Sequence, residues 1–460
     1  MQDWIPRIAP GTGPKYLAIA DALSRDIAAG KVLRGARLPS QRLLAARLGL
    51  DLTTITRAYR EAQRLGLIEG NGRRGSFVRK GSPLSFRHGA KVERSDGMNT
   101  PPNGTSGRLQ LEFRRSVEAV LARECEGLFH YQTPGGMSPA RQAGELVMRG
   151  RNIPCSSENV LVTAGGQHAL HAIVSAELKP GDVLAVGRYA YPGILSIARR
   201  FGVQLYVIEG DQEGLIPEAL AAACLHSAIR AVYLVPTNDN PTTATMSGSR
   251  REALAEVISA HRLRVIEDDA YGLLPEQPTV AFANLVPDLT WHIASVSKVI
   301  APGMRVAWLR ASDATSVWRL GADLHETNIM PSPINASVVA DWVATGVFPE
   351  LINEVRAEAR ARQEIARACL PRGSFSAHAD GYHLWLELGS EVSPGQISDA
   401  LRQQGVSATP GEAFASDRAL DHRALRVAIG GTLSRDHLRS ALTLLATLLH
   451  PDVMRKGMLV

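Results

Sequence analysis

One lysine in this chain keeps purposeful company. In SVSKVIAPGMR, Lys298 follows Ser297 directly, Ser295 lies three residues back and Arg305 seven ahead, with Pro302-Gly303 between. A primary amine can attack a carbonyl carbon, and two hydroxyls with a guanidinium can hold a phosphate. A surface turn would use the same tetrapeptide, so Lys298 alone decides nothing. Other residues add to the case. Gly165-Gly166-Gln167 follows the apolar run NVLVT and opens a helical pattern, where backbone N–H groups can face an anion. Asp268 follows LRVIE, and Tyr271 comes three residues later. Asn240-Pro241 follows AVYLV after a short turn, and Tyr191 sits in GRYAYPG. Taken singly, each of these is also what an ordinary strand-to-helix turn or a core tyrosine looks like.

The elements that must position them are short. NVLVT, DVLAV, QLYVI, AVYLV, LRVIE and WHIAS are apolar strand patterns, each closed by turn residues and mostly followed by an amphipathic stretch. That alternation describes an α/β domain with a mainly parallel sheet, whose ligands collect at the carboxyl ends of strands. The candidate residues sit at such ends. There a buried aspartate can keep a pyridine nitrogen protonated, an asparagine amide can meet a phenolic oxygen, and a tyrosine can lie on a flat ring.

Charge is not spread evenly along the chain. Of 460 residues with net charge +6, the first eighty hold fifteen Lys and Arg against six Asp and Glu, a balance of +9, leaving −3 for the rest. A basic domain on a near-neutral body implies a polyanionic partner for that domain alone. Its pattern is a helix from Pro14 to Gly30 with Leu17, Ala20, Leu23 and Ile27 on one stripe. A second helix follows Ser40, with Leu43, Leu44 and Leu48 inward, and a third follows Asp51, with Ile55, Ala58, Tyr59, Ala62 and Leu65 buried. Leu67-Ile68 and Phe77-Val78 make a hairpin around the tip Asn71-Gly72-Arg73-Arg74-Gly75. The sum is a winged helix-turn-helix. Thr53, Thr54 and Arg57 would enter the major groove of double-stranded DNA, while Arg42, Arg73 and Arg74 would meet phosphate or the minor groove.

Residues 81–107 lack periodicity and are rich in Gly, Pro, Ser and Asn, which reads as a flexible linker. The division expected is 1–80 winged helix, 81–107 linker and 108–460 effector domain. No 18-residue apolar run offers a membrane span, and the first residues lack the order of a signal peptide. The four cysteines are scattered, with no CxxC, which suits neither a zinc site nor a disulfide framework. The expectation is a cytoplasmic protein with no metal and no membrane partner.

Two resemblances follow from these motifs. LPSQRLLAARLGLDLTTITRAYREAQRLGLIEGNGRRGSFV resembles the GntR class of bacterial regulators. From about residue 110 to 450, the order Gly-Gly-Gln, Tyr, Asn-Pro, Asp-x-x-Tyr, Ser-x-Ser-Lys, Arg resembles the fold-type-I, aspartate-aminotransferase-like enzymes of pyridoxal 5'-phosphate. The resemblance implies that Lys298 carries the cofactor as an internal aldimine and that Asp268 pairs with the pyridinium. It implies that Asn240 and Tyr271 hydrogen-bond the phenolic oxygen and that Tyr191 stacks on the ring. Gly165, Gly166, Gln167, Ser295, Ser297 and Arg305 would hold the phosphate. Tyr131, in HYQTPGG, would reach the phosphate of a partner subunit, which implies a homodimer. Arg426, in ALRVAIGG, would grip a substrate carboxylate. The fusion resembles the MocR subfamily of GntR regulators, which implies a transcriptional regulator sensing a small amino compound through external aldimine formation. A working aminotransferase with a DNA-binding appendage is the alternative. The sequence departs from the family at Ala140-Arg141, where Leu-Arg is usual, and at Gly187 and Tyr189, where an acid and a proline are usual.

Overall fold

The structure is a computed structural model of the 460-residue chain. It describes residues 4–6, 14–28, 30–33, 35–70, 75–79, 97–102, 104, 107–124, 126–417, 419 and 422–449. The chain divides into two compact units, Met1–Glu93 and Arg94–Val460.

In the first unit, α1 (Lys15–Ala28), α2 (Gln41–Leu48) and α3 (Leu52–Arg64) precede the antiparallel pair β1 (Ile68–Gly70) and β2 (Ser76–Val78), with Ile68 opposite Val78. The expected caps form. Ser40 Oγ accepts the Leu43 N–H at 3.3 Å, Gly49 closes α2 at φ 61°, and Asp51 accepts the Thr53 N–H at 2.7 Å. Ile55, Ala58, Tyr59 and Ala62 of α3 are buried against Ile19, Leu23 and Leu44. The Tyr59 hydroxyl donates to the Pro39 carbonyl at 2.7 Å and ties α3 to the segment before α2. Two expected core residues are exposed instead. Leu43 lies one residue, hence about 100°, away from the buried Leu44 on a helix of only two turns. Leu65 is the C-cap residue of α3, past its last helical turn, and leaves the stripe there.

The second unit holds a seven-stranded sheet: β3 (Val160–Thr163), β4 (Val183–Gly187), β5 (Gln204–Ile208), β8 (Ile229–Leu234), β9 (Arg264–Asp268), β10 (Thr290–Ser295) and β11 (Ala307–Arg310). Their order is β3-β11-β10-β9-β8-β4-β5. A two-residue hairpin, β6 (Gly210–Asp211) with β7 (Gly214–Leu215), lies outside it. All pairs are parallel except those of β11, which runs antiparallel to both neighbours. Every residue of β3 and β10 is buried, as expected of strands covered on both faces. Helices α4 (Arg108–Glu124), α5 (Ser138–Arg149), α6 (Gly166–Glu177) and α7 (Pro192–Arg200) lead into the sheet or cross over between strands. A smaller antiparallel sheet, β12 (His383–Glu387), β13 (Ala408–Pro410) and β14 (Ala424–Ala428), follows the helix Val347–Cys369. Trp385 stands opposite Arg426 in its central pair. Residues 97–102, placed in the linker by composition, lie against this unit: Gly97 N–H donates to Ser407 Oγ and Gly431 N–H to the Thr100 carbonyl, both at 3.0 Å. Among the described residues no helix is long and apolar enough to cross a membrane.

Candidate functional site

Strand alternation selects the acid that faces Lys298. Along β9, Glu267 and Asp268 must point to opposite faces. Glu267 accepts from His292 Nδ1 at 2.7 Å and from the Phe282 and Ala283 N–H groups at 2.8 and 3.0 Å. Asp269 forms an ion pair with Arg151. Burial alone would raise the Asp269 carboxyl, but the guanidinium and His292 hold it below the ordinary value. Asp268 is different. Its Oδ2 accepts the Tyr233 O–H at 2.9 Å, and burial pushes it up to about 6, although the Tyr233 bond and Lys298 act the other way. Lys298 is lowered to about 8, first by burial and then by Arg426, and its Nζ donates to the Asn99 carbonyl at 2.6 Å.

One end of the chamber suits an anion. Gly165 caps α6 at φ 91° with no side-chain cap, so the first N–H groups of the helix are left to a ligand. A Cβ on Gly165 would stand 2.7 Å from Arg305 Nη2, so only glycine lets that guanidinium close over the turn. Arg305 itself has φ 51° and donates to the Ala164 carbonyl at 2.7 Å. The Ser295 and Ser297 hydroxyls are 2.7 Å apart. Gln167 is exposed at the helix start, and Tyr191, half-buried, begins α7.

The other end is built from the small sheet. Arg426, 2% exposed, donates through Nη1 to Asn240 Oδ1 at 2.7 Å and through Nη2 to the Gly97 carbonyl, and stacks on Phe414 at 4.8 Å. Among the described residues its Nε has no partner. Because Arg426 holds Asn240 Oδ1, the Asn240 amide nitrogen is turned away from it. The Tyr271 hydroxyl accepts from Asn99 Nδ2 at 3.0 Å, which leaves its own proton to donate. Tyr131 is 82% exposed and takes no part in this chamber.

Asn99, Tyr233, His383 and Tyr382 are site residues that the sequence reading missed. His383 Nε2 faces the Asp239 carbonyl at 3.0 Å, and Tyr382 donates its O–H to the Lys298 carbonyl at 2.8 Å. The departures from the family pattern have visible partners. The Ala140 carbonyl accepts from Trp308 Nε1 at 2.8 Å, Arg141 donates to the Ser157 carbonyl at 3.2 Å, and Tyr189 packs edge-on against Trp385 at 4.9 Å. Gly187 offers its carbonyl to Ser416 Oγ at 2.7 Å.

On the first unit, Arg42, Thr53 and Arg57 are exposed and Thr54 is half-buried. The Thr53 hydroxyl donates to Asp51 at 2.6 Å, so its proton serves the cap. Arg73 and Arg74 lie outside the described residues.

These observations test the fit to pyridoxal phosphate. The anion end offers helix N–H groups, two hydroxyls and a guanidinium. The acid end offers a buried carboxylate that accepts from the uncharged Tyr233 hydroxyl, which leaves it suited to a pyridinium N–H. The Lys298 amine lies near enough to both for Asp268 and Arg305 to act on its charge. The residues fit the group.

Comparison with known proteins agrees. Residues 99–445 match the family "Aminotransferase class I and II", and residues 15–78 match "Bacterial regulatory proteins, gntR family". The chain is 29% identical over 454 residues to an HTH-type transcriptional regulator of Bacillus subtilis, YdeF, covering 97% of this chain and 96% of that one. It is 28% identical over 401 residues to PtsJ of Salmonella typhimurium, named as a vitamin B6 salvage pathway transcriptional repressor, covering 86% and 90%. Its fold matches kynurenine aminotransferase of Pyrococcus horikoshii with a TM-score of 0.69 at 22% identity, over 79% of this chain and 91% of that one. The chain therefore belongs to the aminotransferase class I and II family, the pyridoxal-phosphate fold, joined to a gntR-family winged helix in the arrangement of MocR-type regulators.

Proposed function

We propose that this protein is a cytoplasmic, homodimeric transcriptional regulator that binds a double-stranded DNA operator through its first unit. Its second unit holds pyridoxal phosphate and senses a small compound bearing a primary amine and a carboxylate or sulfonate. The observation that carries this reading is the meeting, in one buried cluster, of an amine lowered to about 8, a carboxylate that accepts from an uncharged tyrosine and an arginine with a spare donor. A solvated DNA-binding protein has no use for that cluster.

Bound there, pyridoxal phosphate supplies an aldehyde that reacts reversibly with primary amines and a ring that withdraws electron density. The chain does the rest. Lys298 Nζ is the amine that anchors the cofactor and that an effector must replace. Asp268 holds a proton at the ring nitrogen, kept in place by Tyr233. Asn240 and Tyr271 donate to the phenolic oxygen, and Tyr191 covers one ring face. Gly165, Gly166, Gln167, Ser295, Ser297 and Arg305 hold the phosphate, and Tyr131 reaches the phosphate site of a partner. Arg426 Nε and Nη2 bind the acid group of the effector.

A screen of amino compounds, read by the visible absorbance of the loaded protein, tests this directly. Compounds with both an amine and an acid should shift the band at lower concentration than amines of the same length without an acid. No shift with any amine would sink the reading.

A further inference from the structure

The segment 97–99 is held by the groups on which that reading depends. Lys298 Nζ donates to the Asn99 carbonyl, and Arg426 Nη2 donates to the Gly97 carbonyl two residues earlier. Gly430 makes room for the segment, since a Cβ there would fall 1.9 Å from the Thr100 carbonyl oxygen.

The Asn99 side chain can face only one way. His383 Nε2 lies 3.0 Å from the Asp239 carbonyl, which can only accept, so Nε2 carries the ring proton. Burial holds His383 neutral, down at about 3, so Nδ1 is an acceptor. The Asn99 atom facing it at 3.1 Å must then be the amide nitrogen, which also donates to Tyr271. That leaves Asn99 Oδ1 as a buried acceptor with no partner among the described residues, in a residue 3% exposed. Arg426 Nε is a buried donor, likewise without a partner among them. An unused acceptor and an unused cationic donor in one chamber are complementary to an ammonium and an acid group.

We propose that residues 97–99 form a wall of the effector site: Asn99 Oδ1 accepts an N–H of the effector amine as it enters, before its nitrogen replaces Lys298, and the Gly97 carbonyl holds Arg426 until a carboxylate or sulfonate takes its place. This rests on the reading of Lys298 and Arg426 given above and extends it to a segment composition had assigned to the linker. Residues 80–96 join this segment to β2, so the effector acts on the piece of chain that leads to the DNA-binding unit.

The full-length protein loaded with pyridoxal phosphate is titrated with glycine, β-alanine and their longer unbranched homologues, and with unbranched alkylamines as acid-free probes. The rate at which the visible band changes at one low probe concentration is read for wild type, Asn99→Leu and Asn99→Asp, because the effector nitrogen keeps its N–H groups only until it replaces Lys298. Asn99→Leu should lower that rate about 5- to 10-fold for both probe classes, the effect of one lost hydrogen bond. Asn99→Asp keeps an acceptor but has no N–H for Tyr271 and His383, so it should lose less than Asn99→Leu. An unchanged Asn99→Leu, or equal weakening in both variants, overturns the Asn99 assignment. Hydrogen exchange of the amides from 97 to 100 in wild type needs no variant. Exchange should quicken with saturating amino acid and much less with alkylamine, and no change overturns the Gly97 contact. If wild type itself answers amino acids and alkylamines at equal concentration, the acid clamp of Arg426 has failed. That failure shows in wild type, whereas failure of the Asn99 assignment shows only in the variants.

Discussion

A lysine lowered to about 8 is half unprotonated at a pH where a surface lysine is almost wholly charged. Only the free amine attacks an aldehyde. Cofactor uptake by the stripped protein should therefore accelerate with pH up to about 8 and then level off. A rate that keeps climbing through pH 10 would mean Lys298 is not lowered. Borohydride reduction and peptide mapping should place the cofactor on Lys298 alone. Asp268 argues in the opposite sense: burial raises it to about 6, so it is carboxylate above that pH and can meet a ring cation. Asp268→Asn keeps the shape and removes the charge, and should weaken cofactor binding by ~3 kcal/mol, a factor of roughly 100 or more. Dissociation constants from absorbance titration check this. Lys298 and Asp268 drew notice in the sequence because their types and order are themselves chemical, and Arg426 only through the family resemblance. Asn99 and Tyr233 did not. Asn99 lies in GMNTPP, where no periodicity separates a packed segment from a linker, and Tyr233 lies in AVYLV, where the apolar run hides a hydroxyl that serves Asp268.

Among the elements, the strand-to-helix turn at Gly165 depends on its glycine. Its φ of 91° and the 2.7 Å approach to Arg305 leave no room for a side chain. Gly165→Ala should cost ~1–3 kcal/mol in backbone strain and displace Arg305. Cofactor affinity should fall while the winged helix still binds DNA; unchanged affinity would show that the phosphate is held elsewhere. In the first unit, α3 presents Arg57 to solvent. Arg57→Ala should weaken DNA binding and reduce the salt slope by about 0.9 if one phosphate contact is lost. An unchanged slope would place the interface on another face. Most elements could be read from period and caps. β11 escaped because AWLR directly follows the anion turn and runs against the parallel grain of its neighbours. Leu43 and Leu65 were misplaced because a two-turn helix and a helix end bury fewer positions than a long stripe suggests.

At the scale of the molecule, two compact units imply separable losses. Ile55, fully buried in the first unit, should cost ~2–5 kcal/mol when replaced by alanine, enough to unfold so small a core and abolish DNA binding. The visible cofactor band should survive in the same preparation, and its disappearance would mean the units fold as one. Tyr131, 82% exposed, has a use only if a second subunit brings a phosphate site to it. Sedimentation should therefore find a dimer, and Tyr131→Phe should keep the dimer while loosening the cofactor. The central claim is that the chamber and the DNA-binding unit are coupled. A ligand shifts an equilibrium only by its preference for one state, and couplings of ~1–3 kcal/mol correspond to roughly 5- to 150-fold in affinity. The direct measurement is operator affinity of the loaded protein, with and without an amino acid that shifts the visible band, for wild type and Arg426→Gln. The account predicts a change of at least about 5-fold in wild type, and none at the same concentration in Arg426→Gln, with cofactor retained in both. Equal operator affinity in wild type with and without the saturating compound would contradict it.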